Sequence, residues 1–511
     1  MSRETGKGLL KTAVFMAFAT LLSKVLGLIR DALIAAFFGT GLEADAFMTA
    51  SKAPTTLFDI VIGGVISATF IPVFSDVLAR RGKKDAMEFM NKFVTMVFIA
   101  TVLISAFGMI FADPLVNLLA PNYTGDKFDL TVRLTFIMFP MIIFTGFAFS
   151  FVGFLQSMGE YNIPSIISLV SNAAIIIYFA LFGKKFGVVG LAVTMVVAWS
   201  LQVAVQVPSL LKFKYKFRLD FRLKDKNILN ALKLAGPMLI STWVQPLYSI
   251  VNLRLASGID GAYSSLEYAN RLYIVVTGVF SFVVTNLIFP KLAKANVSDS
   301  GEDAQTLITV SLRATALVIL PLTAGIMLLS APITKIIYQS GEMTSSGASV
   351  IAGALSCYSV GMVGLAVNEI LSKYFFSIND SKTPMRNSIL SMVFNIILAY
   401  VLFGIFKTYG LALAAAGGSI FNAFLNGVCI IRRRPGMIKR ADGAVFVKAL
   451  IAAVIMAAAV FGVYSLVYDA DAGRLGQIIT CAVCGVSGVI VYAVCVLLLK
   501  VDEVRALIKR K

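Results

Sequence analysis

Eight ionisable residues stand deep inside apolar runs of this chain, and any chemistry it performs must involve them. Lys24, Arg30 and Asp31 lie in SKVLGLIRDALIA, Asp45, Lys52 and Asp59 in the next apolar stretch, and Glu267 and Arg271 in LEYANRLY. A charged side chain at the centre of a membrane helix costs about 2.5 to 3.5 kcal/mol on insertion scales, so such residues default to pairing or to function. Arginine holds phosphate oxygens by forked hydrogen bonds and lysine holds them as a point charge, so Lys24, Arg30, Lys52 and Arg271 form a candidate anion clamp suited to a pyrophosphate. At about 1.5 Å per residue from the outer helix ends, Lys52 lies about 13 Å deep, Arg271 about 16 Å, Arg30 about 12 Å and Lys24 deeper still. The acids Asp31, Asp45, Asp59 and Glu267 are candidate gating groups or charge partners. Glu267 precedes Arg271 by four residues, the favoured order for an intrahelical pair, while Lys24 with Asp31, or Asp45 with Lys52, share a helix face. Four acids balance four cations, so mutual neutralisation stands beside the clamp as a reading.

Other chemistries lack their residues. The chain has no histidine, which removes histidine triads, histidine metal sites and a histidine proton relay. Cys357, Cys429, Cys481, Cys484 and Cys495 all fall in apolar segments, where free cysteine behaves as a small hydrophobe. Cys481 and Cys484 form a CxxC without other soft ligands nearby, so no metal or cofactor is expected.

The elements that position these charges are membrane helices. Of 511 residues 58% are hydrophobic and 14% charged, with a mean hydropathy of +0.87, far outside the soluble range. About fourteen helical spans are expected, since each needs about 20 apolar residues. They cover roughly 8 to 38, 43 to 77, 89 to 113, 128 to 157, 164 to 183, 187 to 211 and 228 to 257 in the first half. The second half gives roughly 260 to 291, 305 to 329, 346 to 377, 384 to 404, 410 to 431, 444 to 468 and 474 to 500. The first segment is too long for a signal peptide and carries Arg30 and Asp31, so it is expected to remain in the mature protein.

The net charge of +18 is topology rather than a nucleic-acid footprint. Arg80, Arg81, Lys83 and Lys84, then Lys212 to Lys226, then Arg432 to Arg440, occupy even-numbered connections on one side of the membrane. The positive-inside rule places that side, and both termini, in the cytoplasm, where the basic loops also attract anionic lipid headgroups.

The chain resembles itself at a shift of about 220 residues. FLQSMGEYNIP from Phe154 matches YFFSINDSKTP from Tyr374, Gly190-Leu191-Ala192 matches Gly410-Leu411-Ala412, and IPVFSDVLA from Ile71 resembles FPKLAKA from Phe289. Three regions follow: a lobe of six spans over 1-220, a second over 221-435, and two further spans with a cytoplasmic tail over 436-511. Parallel repeats of this kind belong to transporters whose sites lie between the halves, and the self-alignment sets Lys52 within one position of Arg271.

At Ser23 to Ala35, Ala44-Asp45-Ala46-Phe47, Ile71 to Phe74 and Tyr268 to Leu272 the sequence resembles the MurJ (MviN) family, lipid II flippases of the multidrug/oligosaccharidyl-lipid/polysaccharide exporter superfamily. The resemblance extends over the whole length. It implies an all-α, MATE-like bundle of two pseudo-symmetric lobes plus two C-terminal helices, with a central cavity for an undecaprenyl-diphosphate-linked peptidoglycan precursor and a groove for its tail at spans 13 and 14. Family residues needed for flipping map onto Lys24, where arginine is usual, and onto Arg30, Asp31, Asp45 and Arg271. The pattern departs at Phe58-Asp59, where the family has an arginine pair, and at Gly63-Gly64, where it has Glu-Gly. Acidic residues of a sodium site found in some members are replaced by Asn252 and Ala399.

The expected function is therefore a transporter of the bacterial inner membrane, not an enzyme, that moves lipid II outward by alternating access with the membrane potential as driving force. A flippase for another lipid-linked glycan and a MATE-type drug or cation antiporter are the alternatives. Lipid II and membrane lipids are the expected partners; no nucleic acid is, and no protein partner can be read from the chain.

Overall fold

The structure is a computed structural model describing residues 3-63, 69-222, 243-283, 301-437, 440-469 and 473-501. The second copy of the upstream repeat, from Phe289, the start of the seventh expected span and the basic tail from 502 lie outside the described residues. No strand occurs among the described residues.

The first helices are α1 (Arg3–Phe38), α2 (Leu42–Phe58) continuing as a π-helix (Asp59–Gly63), α3 (Ile71–Arg81), α4 (Lys83–Ile110), α5 (Ala112–Leu119), α6 (Gly125–Met138) and α7 (Met141–Ser157). Then come α8 (Asn162–Leu181), α9 (Gly183–Ala204), α10 (Val207–Lys212), α11 (Val244–Ala256) and α12 (Ala262–Val283). The remainder is α13 (Gly301–Tyr338), α14 (Ser345–Val360), α15 (Met362–Ser377), α16 (Lys382–Phe406), α17 (Thr408–Arg433), α18 (Arg440–Val467) and α19 (Arg474–Leu498).

Among the described residues nine helices are long and apolar enough to cross a membrane, or ten when α6 and α7, bent by 40° at Pro140, count as one span. Each of the other four expected spans coincides with α1, α2 and its continuation, α11 or α12. Three of these carry the intramembrane charges, and α11, α12 and the continuation of α2 adjoin residues outside the described set.

The chain forms two compact units, Met1–Ser264 and Ser265–Lys511. In the first, α2 packs on α6, α1 on α8, α4 on α7, and α9 on α7 and α8. A ring cluster of Phe70, Phe74, Phe93 and Phe154 joins α3, α4 and α7, with centroids 4.8 to 5.5 Å apart. In the second unit α13 packs on α14 and α18, α17 on α15 and α16, and α19 on α18. Large apolar residues such as Leu466, Leu475 and Val489 stay exposed on α18 and α19, as lipid-facing positions would be.

The repeat is visible in the backbone. Helices α7 and α15 end in the same Schellman motif: Glu160 N–H donates to Leu155 O and Gly159 N–H to Gln156 O, and Asp380 and Asn379 do likewise to Phe375 and Phe376. The left-handed residues are Gly159 at φ 83° and Asn379 at φ 58°, 220 positions apart. Gly187 and Lys407 form a second such pair, at φ 51° and 52°. Ser171 and Ser391, at the same shift, both make interhelical hydrogen bonds, though to different partners: Ser171 Oγ accepts from Gln202 Nε2, and Ser391 Oγ donates to Gly418 O.

Candidate functional site

Asp45 heads the first turn of α2 with none of its surface exposed. One carboxylate oxygen accepts from Lys127 Nζ at 2.7 Å and from Gly261 N at 2.8 Å, and the other from Ser264 N at 3.0 Å. The side chain from α2 thus caps α12, whose first N–H groups lack intrahelical acceptors and favour a negative charge. Lys127, also buried, bridges to exposed Asp260 at 2.9 Å and sits 4.1 Å over the Tyr123 ring, whose hydroxyl is 3.2 Å from Thr49 Oγ1. Asn122 donates to Ser257 Oγ at 3.1 Å beside it. Gly261 has φ +72°, and a Cβ there would stand 2.6 Å from the Thr40 carbonyl oxygen. All these groups belong to the first unit and lie at the helix ends opposite the basic loops.

This arrangement corrects the intrahelical pairing considered for Asp45. Lys52 is two turns away, about 10 Å along the axis, whereas Lys127 enters from α6 at contact distance. Sequence reasoning passed over Lys127 because it sits at a helix start, where lysines usually point to water. The usable signal was its position, since a cation in a helix's first turn opposes the macrodipole and needs an acid nearby.

Arg30 turns to its neighbour. Its Nε and Nη2 donate to one Asp31 oxygen at 2.9 and 2.7 Å, and Nη1 donates to Asn172 Oδ1 at 3.0 Å. Asn172 in turn donates to Ser23 O at 3.1 Å, fixing the fork to α8. Asp31 is therefore held by Arg30 rather than by Lys24. Three of the guanidinium's five N–H groups are engaged and two remain for a ligand. Lys24 and Lys52 are half-buried, and Lys52 interacts electrostatically with Asp59.

Asp59 opens the π-helix and lines a cavity of about 330 Å³ within the first unit. Gln156 and Gln245 line it too, with Phe58, Phe149, Ile71, Val152 and Pro246. The Phe58 and Phe149 rings stack at 6.1 Å. Trp243 Nε1 donates to Ile60 O at 2.7 Å, engaging a carbonyl within the π-helical turn. The π-helix escapes sequence reasoning, although Pro54 one turn earlier, which lacks an N–H, marks the stretch where α-helical bonding is already broken.

In the second unit Arg271 is half-exposed and its Nη2 stands 3.9 Å from Glu267. Buried Tyr268 fixes this turn: the Tyr338 hydroxyl donates to its carbonyl at 3.1 Å and the two rings pack at 5.0 Å. The structure therefore brings together Arg30 with Asp31 and Glu267 with Arg271, and it binds Asp45 to a lysine that the candidate set lacked.

At the basic end, a turn at 213-214 leads into residues 215-222, which lie against α4 without regular structure. Asn91 Oδ1 accepts from Tyr215 Oη at 2.8 Å and Arg218 N at 3.2 Å, and Asp220 N donates to Thr95 Oγ1 at 2.9 Å. The Arg222 guanidinium beside Asp220 holds that carboxyl down to about 2. Asp380, in the α15 to α16 turn, is also held at about 2: burial pushes it up, but hydrogen bonds from Thr383 and Arg433 overcome this.

Long apolar helices carrying an internal parallel repeat are the architecture of membrane transporters. The fold matches a solved structure described as the lipid II flippase MurJ in an inward closed conformation, with a TM-score of 0.83 at 22% identity over 97% of this chain and 100% of that one. It also matches an inward-facing multidrug resistance MATE family transporter of the MOP superfamily, with a TM-score of 0.70 at 16% identity over 83% of this chain and 98% of that one.

Residues 34–473 match the family model for the lipid II flippase MurJ, and the chain belongs to that family of membrane transporters. It is 28% identical over 415 residues to the lipid II flippase MurJ of Burkholderia cenocepacia, covering 80% of each chain. It is also 28% identical over 417 residues to a probable lipid II flippase MurJ of Rickettsia prowazekii, covering 81% of this chain and 82% of that one.

Proposed function

We propose that this protein moves lipid II from the cytoplasmic to the outer leaflet of the inner membrane by alternating access, with both termini in the cytoplasm. The observation that carries the reading is the family match over residues 34–473, which covers Asp45, Lys52, Asp59, Glu267 and Arg271 and begins just after Lys24, Arg30 and Asp31. Lys24, Lys52, Arg30 and Arg271 neutralise the diphosphate, the first two as point-charge ammonium groups and Arg30 through the N–H groups that Asp31 and Asn172 leave over. The Asp45–Lys127–Asp260 cluster acts as the outer latch: it ties α2 and α6 to the α11–α12 turn, and outward opening releases that turn. The tail stays in lipid throughout. The potential drives transport without a bound ion, because negative charge moves toward the positive side.

The test replaces a cell's own flippase with this protein and measures lipid II exposed on the outer face. Exposure is expected from the unmodified chain and should fall at least tenfold in Arg271→Ala at equal protein level, a loss typical of one charge-assisted contact. A well-inserted unmodified chain that exposes no lipid II would falsify the reading.

A further inference from the structure

We propose that the cavity at the π-helix is a subsite for a primary ammonium group carried by the cargo's peptide, with Asp59 as its counter-ion; this rests on the flippase reading above. A π-helical turn inside a membrane helix is rare and concentrates at functional sites. Here it begins at Asp59, and its Ile60 carbonyl is taken by Trp243, so the distorted backbone is held by a neighbouring segment of the same unit. Asp59, Gln156 and Gln245 line the space, no side-chain oxygen or amide of the three makes a hydrogen bond among the described residues, and Lys52 is the cation whose charge Asp59 feels.

One carboxylate and two carboxamides supply acceptors for the three N–H donors of an alkylammonium, and a carboxylate facing a membrane cavity selects a positive charge. The rest of the lining suits the carbon stem. Phe58 and Phe149 present ring surface that also attracts a cation, and Ile71, Val152 and Pro246 are apolar. At about 330 Å³ the cavity far exceeds the space of a bare alkali ion, which is bound by oxygen ligands closing to about 2.3 to 2.6 Å. The position complements the clamp. Asp59 lies about 25 Å along α2 from Leu42 and two turns beyond Lys52, so a headgroup whose diphosphate meets the cations extends a cationic peptide arm toward the basic-loop end.

The test measures binding of two forms of the lipid-linked precursor to the purified full-length protein: one whose peptide bears lysine with a free ε-ammonium, and the same molecule N-acetylated there. Acetylation should weaken binding to the unmodified protein about tenfold, as loss of a charge-assisted hydrogen bond does. Asp59→Asn should weaken binding of the free-amine form by a similar factor and leave the acetylated form unchanged. The acetylation arm uses the unmodified protein and so stands whether or not the variant folds.

Equal affinity for both forms overturns the subsite while leaving the flippase reading intact. Binding of neither form overturns both. Sodium dependence that Asp59→Asn removes, with no effect of acetylation, assigns the cavity to an inorganic ion and also overturns the proposal.

Discussion

Lys127 shows how a buried charge is made tolerable. Its ammonium lies between the two carboxylates of Asp45 and Asp260 and over an aromatic face, while Asp45 has backbone N–H donors besides. Removing one partner of a buried pair costs about 3 to 5 kcal/mol, because the other is left uncompensated. Lys127→Met should therefore lower the thermal unfolding temperature more than Asp45→Asn does, since the latter leaves Lys127 with Asp260. The double variant should cost less than the sum of the singles, the signature of one shared interaction. Strict additivity in detergent unfolding would show that the two side chains do not act as a pair. The pairs suggested by spacing alone, Asp45 with Lys52 and Lys24 with Asp31, did not form. Spacing along one helix counts only partners on that helix, while the winning lysine arrives from another helix and the winning arginine is the immediate neighbour of its acid.

Elements were more legible than contacts. Over the described residues, helices fall within the expected spans because apolar length answers to the lipid and not to tertiary detail, and nine or ten of them are long and apolar enough to cross a membrane; the expected second span includes the π-helical turn without revealing it. The repeat was legible for a different reason. Its conserved pieces are chain-reversing turns with left-handed residues at 159 and 379, where backbone geometry restricts the sequence. The π-helix was not legible, because one extra residue per turn leaves no compositional mark. Its support can be tested by thermal unfolding: Trp243→Phe keeps an aromatic ring but loses the pyrrole ring with the N–H that Ile60 O accepts, and should cost about 1 to 3 kcal/mol if no water replaces it. The α15 to α16 turn carries a pH prediction. With Asp380 held at about 2 against an ordinary value near 3.8, ionised Asp380 stabilises the folded turn at neutral pH, and that contribution is lost as pH falls through about 2. Below neutrality the unmodified protein should lose stability relative to Asp380→Asn only under acid conditions. A stability difference unchanged from pH 6 to the acid limit would remove Asp380 as the titrating group.

At the scale of the whole molecule, the proposal that the potential alone drives transport makes the cargo's net charge the quantity to vary. Each net negative charge moved outward gains about 2.3 kcal/mol at 100 mV, equivalent to roughly a fiftyfold leaflet ratio at equilibrium. In vesicles holding this protein, a potassium diffusion potential with pH clamped should drive lipid II to the positive leaflet, and dissipating it with an ionophore should return the ratio to one. The lysine form carries one positive charge that acetylation removes. Acetylated cargo must then respond more steeply to potential than the free-amine form, by one further factor of roughly fifty at 100 mV, even though it binds more weakly. Weaker binding alone changes the rate and not the final ratio, so the two effects separate in one experiment. A ratio indifferent to potential for both cargoes would require a coupling ion in place of the field, and a coupling cation would have to be held by an acid such as Asp59 rather than by Lys24 or Lys52.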